Sequence, residues 1–163
     1  MTDTTNESKP TQQPAARRRV AQVVGALLLV AVGIQFIPYG VDNPSARDEP
    51  KWDSARTRQL FMTACADCHS NQTKILWFEH AAPIKWYVAS HVKDGRHALN
   101  IDTWHTSAGE GADEAANVIR KGSMPPDFYT YLGLHGDAKL TPSERQQLHD
   151  GLAKILADDP PKQ

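Results

Sequence analysis

Cys65-Ala66-Asp67-Cys68-His69 holds both cysteines of the 163-residue chain. Two thiols three positions apart and followed by an imidazole make C-x-x-C-H, the spacing at which each thiol joins one haem vinyl group as a thioether while the histidine turns to the iron. The same residues have other readings. A structural zinc needs a fourth ligand, and no second cysteine pair is present. A thioredoxin-like pair needs strand-helix-strand patterning around it, which is absent.

Working upstream, Leu60, Phe61 and Ala64 recur at helical spacing, with Asp53 as the expected N-cap of a helix leading into the cysteines. Further back, Arg17-Arg18-Arg19 precedes a run from Val20 to Pro38 that contains no charge. At 1.5 Å per residue this run extends about 28 Å, close to the hydrocarbon thickness of a bilayer. It is longer than the apolar core of an ordinary signal peptide, and no A-x-A site follows. The expectation is a retained transmembrane anchor over residues 17–39, crossing once. The arginines hold a polar tail, residues 1–16, in the cytoplasm, and everything after Tyr39 lies in the periplasm or otherwise outside. Residues 1–13 carry no Leu, Ile, Val, Phe, Tyr or Trp, so they are expected to be disordered. Residues 40–52, rich in Pro, Asp and Asn, read as a linker.

Downstream, Ala82-Pro83 opens an expected helix through Ile84, Tyr87, Val88 and His91 that stops at Gly95. Another runs from near Asp113, with Ala116 and Ile119 inward, to Gly122. The last is announced by Thr141-Pro142-Ser143-Glu144, a capping box with proline at the first helical position, and buries Leu148, Leu152, Ile155 and Leu156. The fold class is all-α: a small helical haem domain, residues 53–157, behind one transmembrane helix and followed by a short disordered tail, 158–163. Trp77, Trp86 and Trp104 are expected in the core or against the haem edge.

An iron held by His69 needs a ligand on its opposite face. Gly122-Ser123-Met124-Pro125-Pro126 offers Met124 from a stiff loop, after a glycine that can end a helix and before two prolines. Met124 is the expected distal ligand. His91 is its rival among His80, His91, His97 and His105.

At this point the residues resemble a known family. Cys65 to Asn71, Trp77-Phe78 followed by Ala82-Pro83, His91 to Arg96, Leu99-Asn100, Trp104 and Gly122 to Pro126 together are similar to the bacterial haem-binding domain family. The resemblance covers roughly residues 53–157. It implies an extracytoplasmic, cytochrome-c-like domain, often behind one apolar segment, that binds haem.

One covalent haem c with both axial positions filled exchanges electrons and leaves no place for substrate, so no catalytic residue is assigned. A transient redox-protein partner is expected. The competing classes are a haem sensor or peroxidase-like enzyme with an open sixth site, and a structural haem subunit of a membrane complex. The formal net charge of -1 leaves no dominant basic surface, which argues against nucleic acid.

Overall fold

The computed structural model describes residues 13–133 and 135–163. The tail expected over residues 1–16 lies outside the described residues as far as residue 12. Its last four residues are helical, because α1 runs Gln13–Gly33 and continues into a 3-10 turn at Ile34–Phe36. The stretch Ala15–Phe36 is long and apolar enough to cross a membrane, and its Val and Leu side chains are exposed.

In the second unit, Tyr39–Gln163, the regular elements among the described residues are all helical. Its elements are α2 (Ala55–Ala64), α3 (Ala66–His69), α4 (Ile84–Ala98), α5 (Trp104–Ser107), α6 (Ala115–Lys121) and α7 (Pro142–Asp158), linked by short 3-10 turns. Among the described residues there is no strand, only a single bridge between Asp48 and Thr103.

Helix α2 is capped by Ser54 rather than Asp53: the Ser54 hydroxyl accepts from Thr57 N at 3.1 Å. A cap must reach the second or third amide of the helix, and Ser54 is the residue placed to do so. Asp53 instead lies beside α7, its Oδ1 2.9 Å from where a Cβ on Gly151 would stand. That Cβ would also collide with Thr57, so Gly151 is what allows α7 to lie against α2. Phe61 of α2 and Leu148, Leu152 and Ile155 of α7 are buried in one cluster with Ile119, Trp104 and Ile101. Fully burying each such side chain contributes about 1.5–3 kcal/mol, so this cluster outweighs any single surface contact.

The capping box of α7 is present, with reciprocal bonds between Thr141 and Glu144 and Pro142 at the helix start. Helix α6 ends as its sequence predicts, on Gly122 in the left-handed conformation (φ 75°). Helix α4 does not stop at Gly95. It runs on to Ala98 and closes with Leu99 N donating to Gly95 O at 2.8 Å. Gly95 serves close packing instead of a turn.

The stretch read as a linker is fastened to the helical unit. Asn43 Nδ2 donates to Thr73 O at 2.9 Å while Thr73 N donates back to Asn43 Oδ1 at 3.1 Å. Asp48 N donates to Asp102 O, and Trp104 N to Asp48 O. Main-chain pairing and the Asn43 amide, not apolar packing, hold this stretch, so no apolar periodicity marks it in sequence. At the other end Lys162 pairs with Trp104 and Ala108 through main-chain bonds, and Trp104 Nε1 donates to Asp159 O at 2.7 Å.

Candidate haem site

Helix α2 ends at Cys65, whose N–H donates to Phe61 O, and one further turn, α3, carries Cys68 and His69. Cys68 N and His69 N both donate to Cys65 O, at 3.2 and 3.0 Å, so the two cysteines and the histidine belong to one tight turn. Helix α4 presses on this turn at Gly95, where a Cβ would stand 2.5 Å from the Cys68 carbonyl oxygen. Both thiols are unpaired. Burial pushes Cys65 up to about 12 and Cys68 up to about 11, keeping both neutral.

His69 is oriented from the main chain. Its Nδ1 lies 3.0 Å from Leu99 O, and a carbonyl only accepts, so Nδ1 carries the proton and Nε2 keeps its lone pair. Burial draws the imidazole below its ordinary value, against the Leu99 and Gly95 carbonyls, which raise it. The neutral ring is the form that ligates iron.

The residues after the histidine form a polar scaffold. Asn71 N donates to Asp102 Oδ2 at 2.7 Å, Asn100 Nδ2 to Asn71 Oδ1 at 2.9 Å, and Asp102 N to Asn100 Oδ1 at 3.1 Å. Arg96 spans the attachment segment and the incoming chain: Nε donates to Ser70 O, Nη1 to Asp42 O, and Nη2 to Asn43 Oδ1 and Thr73 Oγ1. These positioning roles are not announced by local sequence. The only signal was that Asn71, Arg96 and Asn100 sit inside the stretches resembling a family.

The segment after Met124 folds back onto the same turn. Tyr129 OH donates to Asp67 Oδ2 at 2.6 Å, and its ring stacks on His135 at 4.1 Å. Burial, then Asp67, raises the Tyr129 phenol far above its usual range, so it acts as a permanent donor.

These residues fit a haem. They supply two unpaired thiols and one imidazole nitrogen held free, and on α4, the helix packed against the turn, the buried Trp86 Nε1 has no partner among the described residues. Among the described residues no three His, Cys, Asp or Glu side chains gather as a bare metal ion requires. His91 and His97 point apart, the first to Tyr87 and Phe128, the second to Glu110. Compared with known protein families, residues 29–154 match the haem-binding domain. The chain belongs to the haem-binding domain family. No curated protein and no solved structure matches it.

In this haem-binding domain the expected axial candidates are placed differently. Met124 is partly buried and packs against the same core cluster as Cys65. His91 sits on α4 with Nδ1 2.9 Å from Tyr87 O and its ring against Tyr87 and Phe128. His105 is taken up by Asp48 and Asp159, and His97 is exposed beside Glu110. The tryptophans separate: Trp104 is fully buried, whereas Trp77, expected in the core or against the haem edge, is outside the core, 86% exposed on a short turn with its ring against Phe78. A cavity of ~330 Å³ lies between residues 39–44 and α4, and none of Cys65, Cys68, His69 or Met124 borders it.

Proposed function

We propose that this haem-binding domain is a membrane-anchored, monohaem c-type cytochrome that passes single electrons on the extracytoplasmic side. The observation that carries the reading is the His69 Nδ1 bond to Leu99 O beside two unpaired thiols at C-x-x-C-H spacing. Cys65 and Cys68 form the thioethers, and His69 Nε2 takes the proximal position. Met124 takes the distal one. In support of Met124 over His91, the helix bearing His91 also supplies the Gly95 carbonyl that faces His69 and leads directly to Leu99, so it lies on the histidine's own side. Haem so held supplies a one-electron couple with no coordination position open to substrate.

The apolar helix anchors the domain, with Arg17, Arg18 and Arg19 on the cytoplasmic side. Anchoring raises the local concentration near membrane redox proteins, and a transient partner suits a carrier.

The test is the absorption spectrum of the reduced, detergent-solubilised chain with and without carbon monoxide, beside a denaturing gel stained for haem. A haem that stays on the chain and a ferrous spectrum unmoved by carbon monoxide support the reading. Rapid carbon monoxide binding by the wild-type protein would replace it with the open-site sensor or peroxidase-like class.

A further inference from the structure

We infer that Arg145 is the positioning residue that keeps Met124 at the iron, an inference that rests on the Met124 reading above. Arg145 lies in the first turns of α7, half-buried, and its Nη1 donates to two main-chain carbonyls, Ile119 O at 3.1 Å and Met124 O at 2.6 Å. Among the described residues it pairs with no carboxylate. A half-buried guanidinium without an acid is costly unless its charge meets fixed dipoles, and Ile119 O is one of the last carbonyls of α6, the negative end of that helix.

The same end of α6 is closed from its own side by Gly122 N on Ile119 O and by Ser123 N and Oγ on Val118 O. Those bonds set the start of the loop but stop one residue short of Met124. Arg145 supplies the next constraint, directly on the Met124 carbonyl. Met124 and Cys65 both pack against the buried cluster that α7 helps to form, so the loop Arg145 holds and the attachment turn meet the same core. Helix α7 is itself seated on α2 at Gly151 and Thr57. The loop is thereby referred to the helix that presents Cys65, and the thioether has little backbone freedom through which to leave the iron.

The experiment uses the full haem-loaded chain in detergent, with Arg145→Gln, Arg145→Lys, Met124→Ala and Thr141→Ala compared with wild type. Readouts are the ferrous carbon monoxide association rate and the temperature at which the red ferric band of Met-sulfur ligation is lost. Arg145→Gln should keep full haem staining, bind carbon monoxide about tenfold faster and lose the red band at lower temperature, since a charge-assisted bond on the ligand's backbone is gone. Arg145→Lys, which keeps the charge and reaches one carbonyl, should recover part of the wild-type behaviour. It also stands in if the glutamine variant does not accumulate. Thr141→Ala removes the cap of α7 and should lower the melting temperature without opening the iron; carbon monoxide binding as fast as in Arg145→Gln would mean that loss of stability alone opens it and would overturn the Arg145 role. Wild-type kinetics in the Arg145 variants alongside an open iron in Met124→Ala overturn the Arg145 role alone. Wild-type kinetics in Met124→Ala overturn the Met124 reading, and Arg145 with it.

Discussion

Gly95 of α4 and Cys68 of the attachment turn meet backbone to backbone: a Cβ at residue 95 would stand 2.5 Å from the Cys68 carbonyl oxygen and 3.0 Å from the Cys68 Cβ. The neighbour is main chain in a tight turn and has nowhere to move. Gly95→Ala gains about 1 kcal/mol of helix propensity. It also introduces an overpacking cost of about 1–3 kcal/mol, and against a rigid backbone the cost should win. The variant should melt at lower temperature and carry less covalent haem per chain, measured by thermal unfolding and haem staining. A melting temperature at or above wild type would contradict the contact.

The two thiols should be separable. Cys65→Ser and Cys68→Ser each leave one thioether, so each single variant should retain haem on a denaturing gel at reduced yield, and the double variant should retain none. Haem staining that survives the double substitution would disprove covalent attachment through this pair.

His105 should make stability fall with rising pH. Its Nδ1 lies 2.7 Å from Asp48 Oδ1 and its Nε2 3.1 Å from both oxygens of Asp159, and these two partners raise its value above the ordinary 6.5. The charged imidazole binds its proton more tightly in the folded state. Its contribution is therefore complete below about pH 6.5 and is lost as pH rises through the raised value. Asp48, whose largest cause is the bond to His105, and Asp159, held chiefly by the Lys51 amide, are both lowered from 3.8, so their contribution is lost only in acid. Melting temperatures of wild type and His105→Gln should differ most between pH 5 and about 6.5 and converge above the His105 value. A difference that stays constant from pH 5 to well above the His105 value would mean that the ring acts by packing, not charge.

Topology gives a separate test. A reporter fused after Gln163 should be active only outside the cytoplasm, because Arg17, Arg18 and Arg19 retain the N-terminal side. Release of the chain by salt alone would show that the apolar helix does not anchor it. Cytoplasmic activity of the fusion would overturn the proposed sidedness.

What the sequence determined by itself depends on neighbours within a few residues. The C-x-x-C-H spacing, the Thr141–Glu144 capping box and the left-handed Gly122 were all legible, because each is local chemistry in which one residue satisfies another a turn away. So were the apolar stripe of α7 and the uncharged run from Val20 to Pro38. Tertiary structure alone decided which faces meet. Nothing near His69 announces that Leu99, thirty positions on, lends the carbonyl that orients it. Gly95 has the composition of a helix stop, yet its missing Cβ is used for the approach of α4 to Cys68. Trp104 and Trp77 are the same residue type, and only the core that closes over one of them separates them. Arg145 stands in the polar first turn of α7, and only the meeting of α6 and α7 places its guanidinium on Ile119 and Met124. In each case the deciding free energy is a contact between segments far apart in the chain, set by the shape complementarity of helix faces, and local spacing carries no record of it.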